Sequence, residues 1–197
     1  MHLPEKEKDR LLLRLLKKDL PLVNRLYFEL LDERTVEDRR EAMEERIRKG
    51  VERASSFWKP NYLKTDMGYM SGDITQHVAI TKDKYGEAAL NLFMLNQVLE
   101  HNGRRLMKYS PAEIRKFSVY VIAKAFKLLL LIDKLHEDCL LDFKEDLEKL
   151  GRSMGQYPYL METAIYHGLD VNWLVHGEIP EDIDQIHKDL RGHGYLK

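Results

Sequence analysis

Apolar positions along this chain recur three and four residues apart almost throughout, and nowhere do they alternate for long with polar ones. That period belongs to helices with one buried face, so the spacing predicts an all-α protein. A first helix starts after Pro4 and gathers Leu12, Leu15, Leu16 and Leu20 on one side. Pro21 punctuates it, and Asp19 is placed to cap a second helix bearing Val23, Leu26, Tyr27, Leu30 and Leu31. A third begins near Thr35 and lines up Val36, Met43, Ile47, Val51, Ala54 and Trp58 in one stripe, with Glu and Arg crowding the other faces.

The period lapses over "KPNYLKTDMGYMSGD", residues 59–73, where Pro60, Gly68 and Gly72 predict a loop whose Tyr and Met side chains pack. A short helix from Ser71 or Asp73 to Lys82 follows. The next runs from Tyr85 or Gly86 to Asn102, with Gly103 placed as a left-handed C-cap. The sharpest start in the chain is "SPAE": Ser110 as N-cap, Pro111 in the first turn and Glu113 closing a capping box. Neither Gly nor Pro then appears until Gly151. An unbroken helix of that length would be a rod of about 60 Å, so a break is expected near Cys139–Phe143. The first half of this segment is apolar nearly all round, which predicts a buried central helix. Short helices begin near Pro158 and Pro180 and stop at Gly168 and Gly192. The pattern amounts to a multi-helix bundle of roughly seven to nine helices around the helix starting near Pro111. Residues 1–197 read as a single domain, and a seam at the loop would divide it into 1–58 and 73–197.

Composition narrows the class. Apolar residues make up 44% of the chain and charged residues 33%, the balance of a globular protein. A net charge of −1 provides no global field for nucleic acid or an anionic surface, so any polyanion site must be local. The single cysteine, Cys139, forms no internal disulfide and suits a reducing compartment. The opening "MHLPEKEKDR" lacks a leader's apolar stretch, and residues 117–132, interrupted by Lys124 and Lys127, are too short to span a bilayer. A cytoplasmic protein with no membrane partner is the expectation.

The segment "AIYHGLDVNWLVHGEIP", residues 164–180, places Gly168, Leu169, Trp173, Leu174, Gly177 and Glu178 in a helix–turn–helix rhythm. This stretch resembles the closing helices of small lambda-repressor-like DNA-binding domains. In that family the DNA-reading helix comes just before the closing pair. Only six residues separate Gly151 from Pro158 here, too few for it. The segment therefore reads as packing, with Trp173 and Leu174 as core.

Three sets of residues carry chemistry worth testing. Lys116, Tyr120, Lys124, Lys127 and Lys134 fall on one helical face, with Arg104, Arg105 and Lys108 just upstream. Such a stripe could follow a phosphate backbone and stack a base, or it could simply be the solvated face of a buried helix. Asp73/His77, Asp133/His136 and Asp184/His187 stand at neighbour spacing on helices, and the two Asp-x-x-His pairs among them loosely resemble the carboxylate-x-x-His pairs of di-metal bundles. Such a site needs Glu-x-x-His and bridging glutamates, Asp is a methylene shorter, and Asp184/His187 falls on an exposed terminal helix, which favours local hydrogen bonds. Met67, Tyr69 and Met70 would make an adaptable partner-binding loop. No nucleotide-binding glycine motif and no nucleophile elbow is present, and no cofactor is implied. The leading expectation is a non-catalytic helical interaction or regulatory protein with a protein partner or a second copy of itself. The alternatives are a nucleic-acid-binding regulator using the lysine stripe and a metal-dependent enzyme using the Asp/His pairs.

Overall fold

The structure, a computed structural model, describes residues 3–56, 59–136 and 138–196. Among them are ten helices and no strand: α1 Glu5–Leu16, α2 Leu20–Leu30, α3 Val36–Ser55, α4 Pro60–Thr81, α5 Lys84–Leu106, α6 Pro111–Asp133, α7 Asp138–Gly155, α8 Pro158–Tyr166, α9 Val171–His176 and α10 Ile183–Gly192.

Several helix starts follow from local chemistry. Asp19 accepts the Leu22 N–H at 3.1 Å and caps α2. Thr35 and Asp38 form a reciprocal capping box at the start of α3: the Asp38 N–H donates to Thr35 Oγ1 at 3.1 Å, and the Thr35 N–H to Asp38 Oδ2 at 2.8 Å. At the start of α6, the Ser110 N–H and hydroxyl donate to Glu113 Oε2 at 3.0 and 2.7 Å. Each device gives the orphan N–H groups of a first turn, or the residue before it, a local partner.

The core lies around α5 and α6. Phe117, Val121, Ile122, Ala125, Phe126, Leu128 and Leu129 of α6 are wholly buried, as expected for the apolar helix starting at Pro111. α5 supplies Ala88, Leu90, Leu92, Met94, Leu95, Val98 and Leu99. α6 packs on α4, α5 and α8, with lesser contacts to α7 and α10, while α5 packs on α3, α4, α6 and α7. Each fully buried Leu or Phe contributes about 1.5–3 kcal/mol relative to exposure, so the helix pair α5–α6 dominates the stability.

Three sequence expectations are corrected. Residues 60–73 are not a loop: α4 runs through Pro60–Thr81. Its buried residues, Leu63, Met67, Met70, Ile74 and His77, keep spacings of four, three, four and three. Gly68 and Gly72, which suggested a turn, lie on the exposed side, where an added Cβ would meet nothing within 4 Å. Gly103 is not a left-handed cap. It sits inside α5, and a Cβ there would lie 1.6 Å from the Tyr157 hydroxyl oxygen, so any larger residue would have to displace the end of the Tyr157 ring that packs on it. The break after α6 comes at Asp133, earlier than Cys139–Phe143, and Cys139 and Phe143 lie within α7. The all-round apolar run ends at Ile132, so nothing continues to bury the helix along that axis, and α7 folds back onto α5 and α9. The N-terminal stripe of α3 holds for Ile47, Val51 and Ala54, which are buried, while Trp58 lies outside the described residues.

Candidate functional site

The lysine stripe does not present a free cationic row. Lys124 is half-buried, its Nζ 3.4 Å from the Asn91 Oδ1 and 5.8 Å from the Tyr120 ring centroid. Burial pushes its pKa down to about 8, and the neighbouring Lys127 charge adds to the effect. The Lys127 Nζ pairs with Glu87 at 3.2 Å, and the Tyr120 hydroxyl donates to Ser71 Oγ at 3.3 Å. Lys116 and Lys134 are exposed at separate ends of α6. Arg104 and Arg105 are exposed near the end of α5, and the Arg105 guanidinium donates to the Ser55 carbonyl. A phosphate-tracking surface needs ammonium groups free to meet successive phosphates, and the middle of this stripe is committed to the bundle.

The Asp/His pairs are likewise separated. Asp73 takes Arg46 at 2.9 Å instead of His77. His136 Nδ1 lies 3.1 Å from Asp138, not Asp133. Asp184 pairs with Lys188, and the His187 ring lies against Phe126, 5.8 Å between centroids. Among the described residues no group of three His, Cys, Asp or Glu side chains could hold a metal ion. Nor do Met67 and Met70 form a partner loop: both are buried in the core beneath α4, and only Tyr69 of that trio is exposed.

His77 instead joins a buried polar cluster with no signature in residue spacing. Asp83, the N-cap of α5, accepts the Gly86 N–H at 2.7 Å and the Arg40 Nε–H at 2.8 Å. The His77 Nε2 lies 3.7 Å from the same carboxylate. Burial pushes the Asp83 pKa up, but the Arg40 and Gly86 hydrogen bonds and the nearby positive charge outweigh it and hold the group below its ordinary range. Burial drives the His77 pKa down, against the pull of Asp83. The cluster clamps α3, α4 and the start of α5 together. Its charges are internally matched, which is what a structural clamp needs.

The tail follows the rhythm read from the sequence. Gly168 and Gly177 adopt left-handed φ values of 73° and 65°, ending α8 and α9. Leu174 is fully buried; Trp173 is partly buried, edge-on to Phe126 at 6.3 Å and 74°. What precedes these helices is the long α7, to which α9 is tightly packed.

The surface that stands out is the N-terminal hairpin of α1 and α2. None of its residues is buried. Leu11, Leu12, Leu13 and Leu15 of α1 are exposed, with Leu20 and Leu22 where α2 starts. Leu30 and Leu31 at the end of α2 keep 74% and 70% of their surface in water. The hairpin meets the body through α2 on α4. At the following turn Asp32 accepts both Arg34 and Arg39, whose hydrogen bonds hold its carboxyl well below the usual range. This fixes where α2 ends relative to α3. α2 carries a single charged pair, Arg25 and Glu29, bonded to each other at 2.6 Å. Sequence periodicity found the leucines of α1 but could not tell that their face is left uncovered. No known family model, curated protein or solved structure matches this chain.

Among the described residues, no helix is long and apolar enough to cross a membrane.

Proposed function

We propose that this protein is a non-catalytic helical interaction module that pairs with a second copy of itself through α1 and α2. The observation that carries this reading is the exposed apolar surface of the hairpin. Eight leucines, from Leu22 at 39% to Leu30 at 74%, keep much of their surface in water, where the largest apolar patch of an ordinary monomer is about 300–600 Å² and a standard specific interface takes about 800 Å² per partner. Charge supports self-pairing. The first turns of α1 hold Glu5, Glu7 and Asp9 interleaved with Lys6 and Lys8, while Arg10 and Arg14 in its later turns and Lys17 and Lys18 just past its end have no acid among them. In an antiparallel, two-fold arrangement the slightly acidic start of one α1 lies beside the basic end of the other, the self-complementarity that an isologous interface uses.

The test is the mass in solution of the full chain and of a Leu12→Glu/Leu30→Glu double variant. Light scattering after size-exclusion chromatography should give a dimer at micromolar concentration for the first and a monomer with unchanged helical circular dichroism for the second. A native chain that is monomeric under these conditions refutes the proposal. If that monomer binds vesicles of anionic phospholipid, the surface belongs to a membrane and not to a second copy.

A further inference from the structure

The face that α6 turns toward α8 and the end of the chain holds groups that the fold leaves unused. Two clefts adjoin there, of about 350 and 540 Å³, and both count Arg115 and Val119 in their walls. The first lies between α6 and α8 and includes Ser118, Tyr159 and His167. The second continues along α6 past Tyr120 and Ala123, between Lys64 of α4 and Leu196. Leu196 ties the two together, because its N–H donates to His167 Nδ1 at 3.1 Å.

Three observations point to a ligand. The Ser118 hydroxyl is fully buried and has no hydrogen-bond partner. Ser55, Thr65, Thr75, Thr81 and Thr163, also helical, each donate to the carbonyl four residues back, the usual escape for a hydroxyl inside a helix. Ser118 does not, so its hydroxyl is left unmet just behind the cleft wall, where a bound polar head could draw it out. His167 is the second. With Nδ1 accepting the Leu196 N–H, its neutral ring carries the hydrogen on Nε2, and that nitrogen has no hydrogen bond among the described residues. Burial and the Arg115 charge both lower its pKa, so the ring stays a neutral donor at physiological pH. The third is charge. Lys64, Arg115 and Lys116 stand in the walls without an ion-pair partner among the described residues, and the only acid there, Glu162, is exposed.

We propose that these clefts form one trough that binds a single-chain anionic amphiphile, a fatty-acid carboxylate. The carboxylate sits at Ser118, His167 and Arg115, and the chain runs over Val119 and Ala123 against Leu196. Three donors, one of them a guanidinium, suit a carboxylate with its several lone pairs. From Arg115 to Ala123 the helix rises about 12 Å, the reach of a medium-length acyl chain. The cleft volumes lie in the range of small-molecule sites, and the stems of Lys64 and Lys116 extend the apolar walls.

Decanoate is the probe, with decanol and decyl phosphate as comparisons, titrated calorimetrically into the full chain below their micelle concentrations. Decanoate should bind, with decanol weaker by about tenfold or more. Arg115→Ala and Ser118→Ala should each weaken decanoate by about tenfold, roughly the loss of one charge-assisted contact. Ser118→Ala should leave the ligand-free melting temperature unchanged or raised, which separates lost binding from lost folding. The Leu12→Glu/Leu30→Glu variant should bind decanoate like the native chain, since the trough is remote in sequence from the hairpin. Absence of decanoate binding overturns the proposal, as does equal affinity for decanol or indifference to Arg115→Ala. Binding lost in the hairpin variant would place the amphiphile on the exposed leucines, and tighter binding of decyl phosphate would assign the head to a phosphate; either result overturns the carboxylate site.

Discussion

Lys124→Met tests the electrostatics of the α5–α6 contact. Lys124 is held half-buried with a pKa near 8, against 10.5 for the free side chain. At pH 7 the ammonium is charged in both folded and unfolded chains, so the depressed value measures a cost of keeping that charge in the fold, about 3 kcal/mol. Methionine keeps the length and apolar stem without the charge. It also strands the Asn91 Oδ1, which the ammonium approaches at 3.4 Å, and leaving that buried acceptor unmet costs about 1 kcal/mol. The net gain at pH 7 is about 1–2 kcal/mol, and at about 2–4 °C per kcal/mol for a chain of this size the melting temperature rises by roughly 2–8 °C. The sign depends on pH in a defined way. Between pH 8 and 10.5 the folded lysine loses its proton before the unfolded one, so the native protein gains stability as pH rises through that window. By about pH 10 the advantage of methionine should shrink to near zero. Urea unfolding of both proteins at pH 7 and near pH 10, followed by circular dichroism, measures this directly. A variant no more stable than the native chain at pH 7 refutes the reasoning, and so does a gain that persists undiminished at the alkaline pH.

Two further outcomes follow from the same structure. Gly68→Ala and Gly72→Ala should each stabilise α4 by about 0.5–1 kcal/mol, because both positions have ordinary helical backbone and open space for a Cβ; a fall in urea midpoint for either would show that the glycine has another role. Burial lowers the pKa of His77, His167 and His187 below 6.5, so the unfolded chain binds more protons than the fold once pH drops below that value. Their contribution is complete above pH 6.5 and lost as pH falls through the folded values, so the urea midpoint at pH 5.5 should lie below that at pH 7.5, with an unchanged midpoint counting against the burial of all three.

Local chemistry made several features legible in the sequence by itself. The period of three and four named the class, and Asp19, Thr35 and the Ser110–Glu113 box marked true helix starts, because a cap acts on N–H groups within one turn. The all-round apolar character of 117–132 likewise identified the central helix, since only a helix covered on every side can carry it. What the sequence could not determine depends on which surface meets which. Gly68 and Gly72 looked like a turn, yet α4 stays helical because Leu63, Met67, Met70 and Ile74 are held by their neighbours, and burial outweighs the weak propensity of two glycines. Gly103 has the position of a cap in the sequence, but in the fold it lies inside α5 with Tyr157 pressed against it. His77 has Asp73 at helical spacing but meets Asp83, brought to it by the turn into α5. The same limit applies to the candidate surfaces. The leucines of α1 and the lysines of α6 each form a stripe in the sequence, but only the packing leaves the first in water and draws Lys124 and Lys127 of the second onto α5. Periodicity states that a helix has an apolar face; whether another element covers that face is a property of the whole fold.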